Sequence, residues 1–543
     1  MKKFLFPVLL LLLSTSLFAQ KFYAVHFKDK ANSPYSISQP LDYLSQRAID
    51  RRDKFGISIT EVDFPVNPQY IESVRVTGAI VGASSRWSNS VLVRADNNSL
   101  DLIRELDFVD SIVYVRPDMS AVSQNGIHPK WISENAENSC KTAVENKYGY
   151  AFEQINQLNG VPVHEMGYTG EGVLIAVLDG GFQNSNKLTS LAHLFETDRV
   201  VLETNLVEPT VSIYSGASSH GTSVLACMGG KIDGQYIGTA PAASYALIIT
   251  EDVATEYIIE EYFWMIGAEI ADSLGADLIN SSLGYTTFDD KLMNHTHAEL
   301  DGKTVISSIA VKMAVERGVF VNVSAGNSNG SAFPWVGSPA DAPDALTLGA
   351  VDITGDIASF SSIGPNGAGD LKPDVVARGE GACVILPNNG IAYRNGTSFA
   401  GPINCGMVAC VLQAVPNKKP AEIHEAIQKS ADRYPEHNFQ YGYGIPDYVK
   451  VLKQFGFSSK PENKNVSKLI YYPNPVNDKL YLFNNEKVIK NIELYDLIGK
   501  LIKNVTIHAN QTTIELKEIS AGLIFVKVLY EDRAEDIVKC VLK

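Results

Sequence analysis

Five segments of the chain are short and almost continuously apolar: GVLIAVLD (172–179), SYALIIT (244–250), ADLINSSLG (276–284), GVFVNVSAGN (318–327) and ALTLGAVD (345–352). Each ends in a polar or glycine-containing turn, and helical stretches separate them. A strand with one solvated face alternates apolar and polar residues, whereas a run apolar on both faces has to be covered on both. The pattern predicts an α/β unit over residues 148–457, a parallel sheet with helices on both faces. In such sheets function gathers beyond the strand C-termini, so the polar residues that close these strands are the first candidates for a site.

The flanks read differently. Residues 21–117 mix strand-like runs (KFYAVHF, SNSVLVRA, SIVYV) with helical ones (LDYLSQRAIDRRDKF, NSLDLIRELD), a small α+β unit. Residues 118–147 are polar and irregular, as expected of an exposed, cleavable connector. Residues 458–468, SSKPENKNVSK, form a polar linker, and 469–543 carry short strands (KLYLF, NIELYD, TTIEL, IFVKVLY) divided by turns, the size of a small β-sandwich. At the N-terminus Lys2 and Lys3 precede the apolar run Phe4–Leu13 and a small residue at Ala19, which predicts a cleavable secretory signal over 1–19. That run is shorter than the roughly 20 residues a bilayer needs, and no later stretch is long enough, so no transmembrane segment is expected in the mature chain. A net charge of −15, from 61 acidic and 46 basic residues, argues against a nucleic-acid partner. The six cysteines fit no zinc spacing; Cys227, Cys405 and Cys410 read as small buried apolar residues on helices.

Four residues stand where chemistry would be placed. In NGTSFAGP (395–402), Ser398 opens a buried helix; a serine there caps the helix, or it sits where aligned N–H groups favour an oxyanion. Asp179 closes the strand GVLIAVLD, His220 precedes Gly221 at a helix start, and Asn327 ends GVFVNVSAGN. Taken singly, each has an ordinary use as a turn residue or cap. Together they supply a nucleophile, a base, an orienting carboxylate and an amide donor within one domain.

The order Asp179, His220, Asn327, Ser398, with HGTS, INSSLG, SAGNS, FSSIGP, LKPDVVARG and GTSFAGP around it, resembles the subtilase family of serine peptidases over roughly residues 150–450. The resemblance implies a subtilisin-like fold and a secreted serine endopeptidase. In it Ser398 attacks, His220 relays the proton, Asp179 orients His220, and the Asn327 amide with the Ser398 N–H stabilises the oxyanion. It further implies that Ser282, Leu283 and Gly284, Ala325 and Gly326, and Gly337 bind substrate. This chemistry needs no metal and no cofactor. Residues 20–147 are similar in size and position to an inhibitory propeptide with its connector. YYPNPVNDKLYL at 471–482 resembles the start of a type A sorting domain of type IX secretion, which implies export through the periplasm to the outside or the cell surface. The expected partners are protein or peptide substrates, the chain's own propeptide and that secretion machinery.

Three positions depart from the family pattern: Gly180 follows the aspartate where a hydroxyl residue is usual, Ser223 replaces a second histidine, and Gly401 replaces a Ser or Ala. The asparagine-rich calcium loop of many relatives is not visible in GGKIDGQYIGTAP. A catalytically weak or dead binding protein or adhesin on the same scaffold is the alternative reading. With glycines at 284, 326 and 337 and no acidic residue among the matched pocket positions, the sequence predicts a preference for a large apolar side chain just before the scissile bond.

Overall fold

The computed structural model describes residues 20–118, 128, 138–139, 146–216, 218–457, 469–472, 476, 478–484, 487–497, 499–517, 519–520, 522–532 and 534–542. The expected signal segment, most of the connector, the linker and the turn at Pro473, Asn474 and Pro475 lie outside the described residues. The chain divides into two compact units, Met1–Gly456 and Phe457–Lys543.

At the centre of the first unit is a seven-stranded sheet whose strand pairs are all parallel. From one edge to the other its strands are Val375–Arg378, Leu346–Val351, Phe320–Ser324, Leu278–Ser281, Leu174–Asp179, Ser244–Ile249 and Val200–Asn205. The five apolar segments supply five of these strands, and in Leu174–Asp179, Leu278–Ser281, Phe320–Ser324 and Leu346–Val351 every residue is buried. The first strand in the chain, Leu174–Asp179, lies between Ser244–Ile249 and Leu278–Ser281, so the chain order reverses there. That reversal is where an open α/β sheet forms a crevice. Helix Thr397–Ala414 packs on the strands from Leu278 to Val375 and against helix His220–Gly229. Helices Ile259–Leu274 and Ile306–Glu316 pack on each other and against the sheet.

The α+β segment forms a four-stranded antiparallel sheet in the order Ile80–Ser85, Ser90–Ala95, Lys21–Phe27, Val109–Arg116. In the helical run LDYLSQRAIDRRDKF a short 3-10 turn, Pro40–Asp42, precedes the α-helix, which starts only at Gln46 because Ser45 stops in an extended conformation and caps the Ala48 N–H. This sheet has its own core, Val25, Val74, Val93 and Ile103 among it, and it docks on helix Ile259–Leu274 through buried polar groups. The Glu269 carboxylate accepts the Arg86 and Trp87 backbone N–H at 2.9 and 3.0 Å. Asp272, fully buried, pairs with Arg51, Arg52 and Arg86, and Asp63 bridges Arg52 to Arg317.

The second unit has a three-stranded sheet (Leu469–Tyr472, Lys479–Asn484, Gln511–Glu515) and a four-stranded one (Leu501–Ala509, Ile489–Tyr495, Gly522–Tyr530, Glu535–Leu542). All pairs are antiparallel, and the strand Gly522–Tyr530 buries every second residue from Ile524 onward into a shared core. Leu501–Ala509 and Glu535–Leu542 are two further strands, beyond the four apolar runs; both carry exposed apolar residues, Leu501 and Ile502 on one and Ile537 and Val541 on the other. Among the described residues five cysteines are free and buried, with Cys227, Cys405 and Cys410 on helices. No helix among the described residues is long and apolar enough to cross a membrane.

Candidate active site

Asp179 is the last residue of its strand and is fully buried; His220 is the first residue of its helix and nearly so. The His220 Nδ1 lies 2.8 and 3.0 Å from the two Asp179 carboxylate oxygens. Gly180 explains how this carboxylate is fixed without the usual neighbouring hydroxyl: its own N–H donates to Asp179 Oδ1 at 2.7 Å.

Ser398 is the second residue of helix Thr397–Ala414, within the first turn, where N–H groups have no intrahelical acceptor. The ring of the next residue, Phe399, stands 6.0 Å from that of His220. Ser282 Oγ donates to the Ser398 carbonyl at 2.9 Å, tying the first turn of that helix to the end of the central strand. Asn327 follows strand Phe320–Ser324, and its Oδ1 accepts both the Thr397 N–H (2.8 Å) and the Thr397 hydroxyl (3.0 Å). With the oxygen committed to Thr397, the donor end of this amide is the other one, Nδ2.

A cavity of about 310 Å³ opens here. Its lining holds Ser398, Asn327, Ser282, Leu283, Gly284, Ala325, Gly326 and Gly337, so every residue predicted to bind substrate, the nucleophile candidate and the amide donor share one space. Asp179 and His220 stand outside that lining.

One reading of the pocket changes. Gly337 does not simply leave room: a Cβ there would lie 2.7 Å from Thr286 Cγ2 and 2.9 Å from the Tyr285 carbonyl. The glycine lets Tyr285 and Ser338 close a β-bridge, with N···O distances of 2.7 and 3.1 Å. The matched pocket positions hold no acid, and beyond them Glu256 also lines the cavity, with His128 of the connector. No local signal marks Glu256: it sits in TEYIIEEYF, where an acidic residue just before a helix has a routine use.

Gly401 is accounted for by packing, since a Cβ would lie 2.6 Å from Ser324 Oγ and its carbonyl accepts from Asn322 Nδ2 at 3.0 Å. The LKPD motif is scaffold. The buried Lys372 ammonium donates to Asp374 Oδ2 at 2.8 Å. Burial raises the Asp374 carboxyl, yet Lys372 and His424 outweigh it and hold the group well below the usual carboxylate range.

Among the described residues Glu251, Glu256 and Glu260 lie close enough to share a cation. Glu260 accepts the Asp252 and Tyr257 N–H, and Glu251 accepts the Tyr285 hydroxyl.

The sequence profile of the Subtilase family matches residues 170–444, half of the chain and all of the sheet. The chain belongs to the subtilase family. This subtilase is 31% identical to Subtilisin NAT of Bacillus subtilis subsp. natto over 297 residues, 54% of this chain and 68% of that one. It is 29% identical to the membrane-bound transcription factor site-1 protease of Mus musculus over 309 residues, 55% of this chain and 26% of that one. Among solved structures it is similar to MycP1 with its N-terminal propeptide removed, at 24% identity and a TM-score of 0.43 over 55% of this chain and 96% of that one. Residues 22–129 match the peptidase S8 propeptide domain of Bacteroidota, and 470–543 match the secretion system C-terminal sorting domain. The protein is a serine-type endopeptidase with a propeptide, carried out of the cell by its sorting domain.

Proposed function

We propose that this subtilase cleaves peptide bonds through Ser398, His220 and Asp179, with Asn327 completing the oxyanion hole. The observation that carries this reading is the pairing of His220 Nδ1 with both oxygens of a buried Asp179, which leaves Nε2 as the ring nitrogen that can act as base. Ser398 Oγ attacks the carbonyl carbon and its proton passes to His220 Nε2. The tetrahedral oxyanion is met by the Asn327 Nδ2 amide and the Ser398 N–H. His220 then protonates the leaving amine, and water repeats the sequence to release the acyl half. Asp179 holds the imidazole tautomer and stabilises its cation. Ser282–Gly284 lies along the cavity as the edge on which substrate backbone pairs.

Residues 20–147 act as inhibitor and connector, cut by the enzyme itself between about Pro117 and Tyr150. The type IX machinery recognises 469–543 and removes it beyond the linker. A fluorophosphonate probe tests the assignment: it labels the wild-type protein and not Ser398→Ala, which also keeps its propeptide. Labelling that persists in the variant, or normal maturation of it, rejects the corresponding step.

A further inference from the structure

Beside the edge strand Val200–Asn205 lies a second cavity, of about 410 Å³, which shares no lining residue with the one at Ser398. Its lining gathers Lys147, Arg199 and Lys231 with His164 and His193, against one carboxylate, Asp233. That balance reverses the chain's own, which has 61 acidic and 46 basic residues. Lys231 comes from GGKIDGQYIGTAP, the stretch in which the calcium loop of many relatives is not visible. Among the described residues none of the three permanent cations forms an ion pair. Arg199 is nevertheless held in place. Its Nε donates to the Thr197 hydroxyl at 2.9 Å, one Nη to the Pro241 carbonyl at 2.6 Å and the other to the His193 carbonyl at 3.4 Å. These bonds leave guanidinium N–H groups over for a ligand.

The two histidines register the field these cations make. His164 Nε2 lies 2.9 Å from the Thr239 carbonyl and His193 Nε2 3.3 Å from the Pro241 carbonyl, and an acceptor so placed favours the protonated ring. Both are held below the usual histidine value all the same, by burial first, and then by Lys147 at His164 and by Arg199 and Lys231 at His193. Like charges are thus set together without an equal counter-charge, a repulsion that a bound anion removes. We infer that this cavity binds a sulfate or phosphate group, as the inorganic ion or as the ester of a sugar. The remaining Arg199 donors and the two ammonium groups match the acceptor oxygens of such a group. The cavity is of a size that takes more than the ion, and Asp233 can accept a sugar hydroxyl. The site stands independently of the proposed triad.

The test is calorimetric titration of the full chain carrying Ser398→Ala with sodium sulfate, sodium phosphate, glucose 6-phosphate and glucose, at constant ionic strength set with sodium chloride. Sulfate and phosphate should bind saturably, and glucose should not. Glucose 6-phosphate binding more tightly than phosphate identifies the sugar ester as the ligand; equal affinity identifies the ion. Arg199→Gln and Lys231→Glu should each weaken binding at least about tenfold, because each removes a charged donor. Asp233→Asn should leave the affinity for inorganic phosphate no weaker. The Lys231 side chain is exposed, so its variant keeps the fold and the test stands even if Arg199→Gln does not. No saturable binding of any of the three anions, glucose bound as tightly as its 6-phosphate, or an affinity unchanged in Lys231→Glu overturns the site.

Discussion

Thr397 holds the Asn327 side chain from two sides, with its backbone N–H at 2.8 Å and its hydroxyl at 3.0 Å, both on Oδ1. The amide proposed to meet an oxyanion is therefore oriented by the residue next to Ser398. Asn327→Ala should fold normally and lose about 10² to 10³ in kcat, a range taken over from the subtilisin oxyanion hole. Thr397→Val, which keeps the N–H and loses the hydroxyl, should lose less, about tenfold, mostly in kcat, with Thr397→Ser restoring it. A Thr397→Val enzyme with unchanged kcat and raised KM would assign the hydroxyl to substrate binding.

Asp272 carries three guanidinium partners from the N-terminal unit in a fully buried position. Removing one side of a buried ion network leaves the rest uncompensated, at a cost of about 3–5 kcal/mol. Asp272→Ala in the mature peptidase should therefore weaken inhibition by the separate N-terminal domain by at least about 100-fold in Ki, with little change in turnover of a small peptide. Equal Ki values for the two enzymes would show that the backbone contacts to Glu269 carry the docking.

Asp341 accepts the Ser308 hydroxyl at 2.6 Å and the Gly302 N–H at 2.8 Å, and burial nevertheless raises its pKa to about 6. A carboxyl raised in the folded state binds its proton more tightly there than in the unfolded chain. Its contribution is full below the unfolded value near 3.8 and is lost as pH rises through about 6. The ionised form costs the fold about 3 kcal/mol at pH 7. In a Ser398→Ala background, Asp341→Asn should gain stability relative to Asp341 by about that amount between pH 4 and pH 7, read from urea midpoints. An offset equal at both pH values would report only a changed hydrogen bond.

Residues 457–543 form a compact unit with their own core. Deleting 460–543 should leave an active peptidase when the rest is produced in a heterologous host, and should strand the protein in the periplasm of its own host. A folded but inactive truncation would tie the unit to catalysis, and normal export would remove its sorting role.

Much of this protein is local in origin and so was legible in the sequence. A run such as GVLIAVLD has no polar face to turn to water, so it is buried on both sides, and its first polar residue, Asp179, falls at the strand end. His220 is the first residue of its helix and Ser398 the second of its own, as the polar residues ahead of these apolar runs predict. Helix Gln46–Phe55 began later than its apolar pattern because Ser45 caps it, a choice between neighbouring residues that periodicity does not resolve. What tertiary structure alone decided are contacts between residues far apart in the chain. Gly180 fastens Asp179 by its backbone, which carries no side-chain signature. Gly401, on a helix, is small because Ser324 comes to it from the end of a strand, and Gly337 because Thr286 comes to it from a loop. Glu256 reaches the cavity from a loop distant in the chain from Asn327 and Ser398, and Asp272 finds three arginines contributed by the N-terminal α+β segment. Burial pattern is written residue by residue along the chain; the partner that satisfies a buried charge or fills a missing Cβ is set by the packing of distant segments, and no local pattern encodes it.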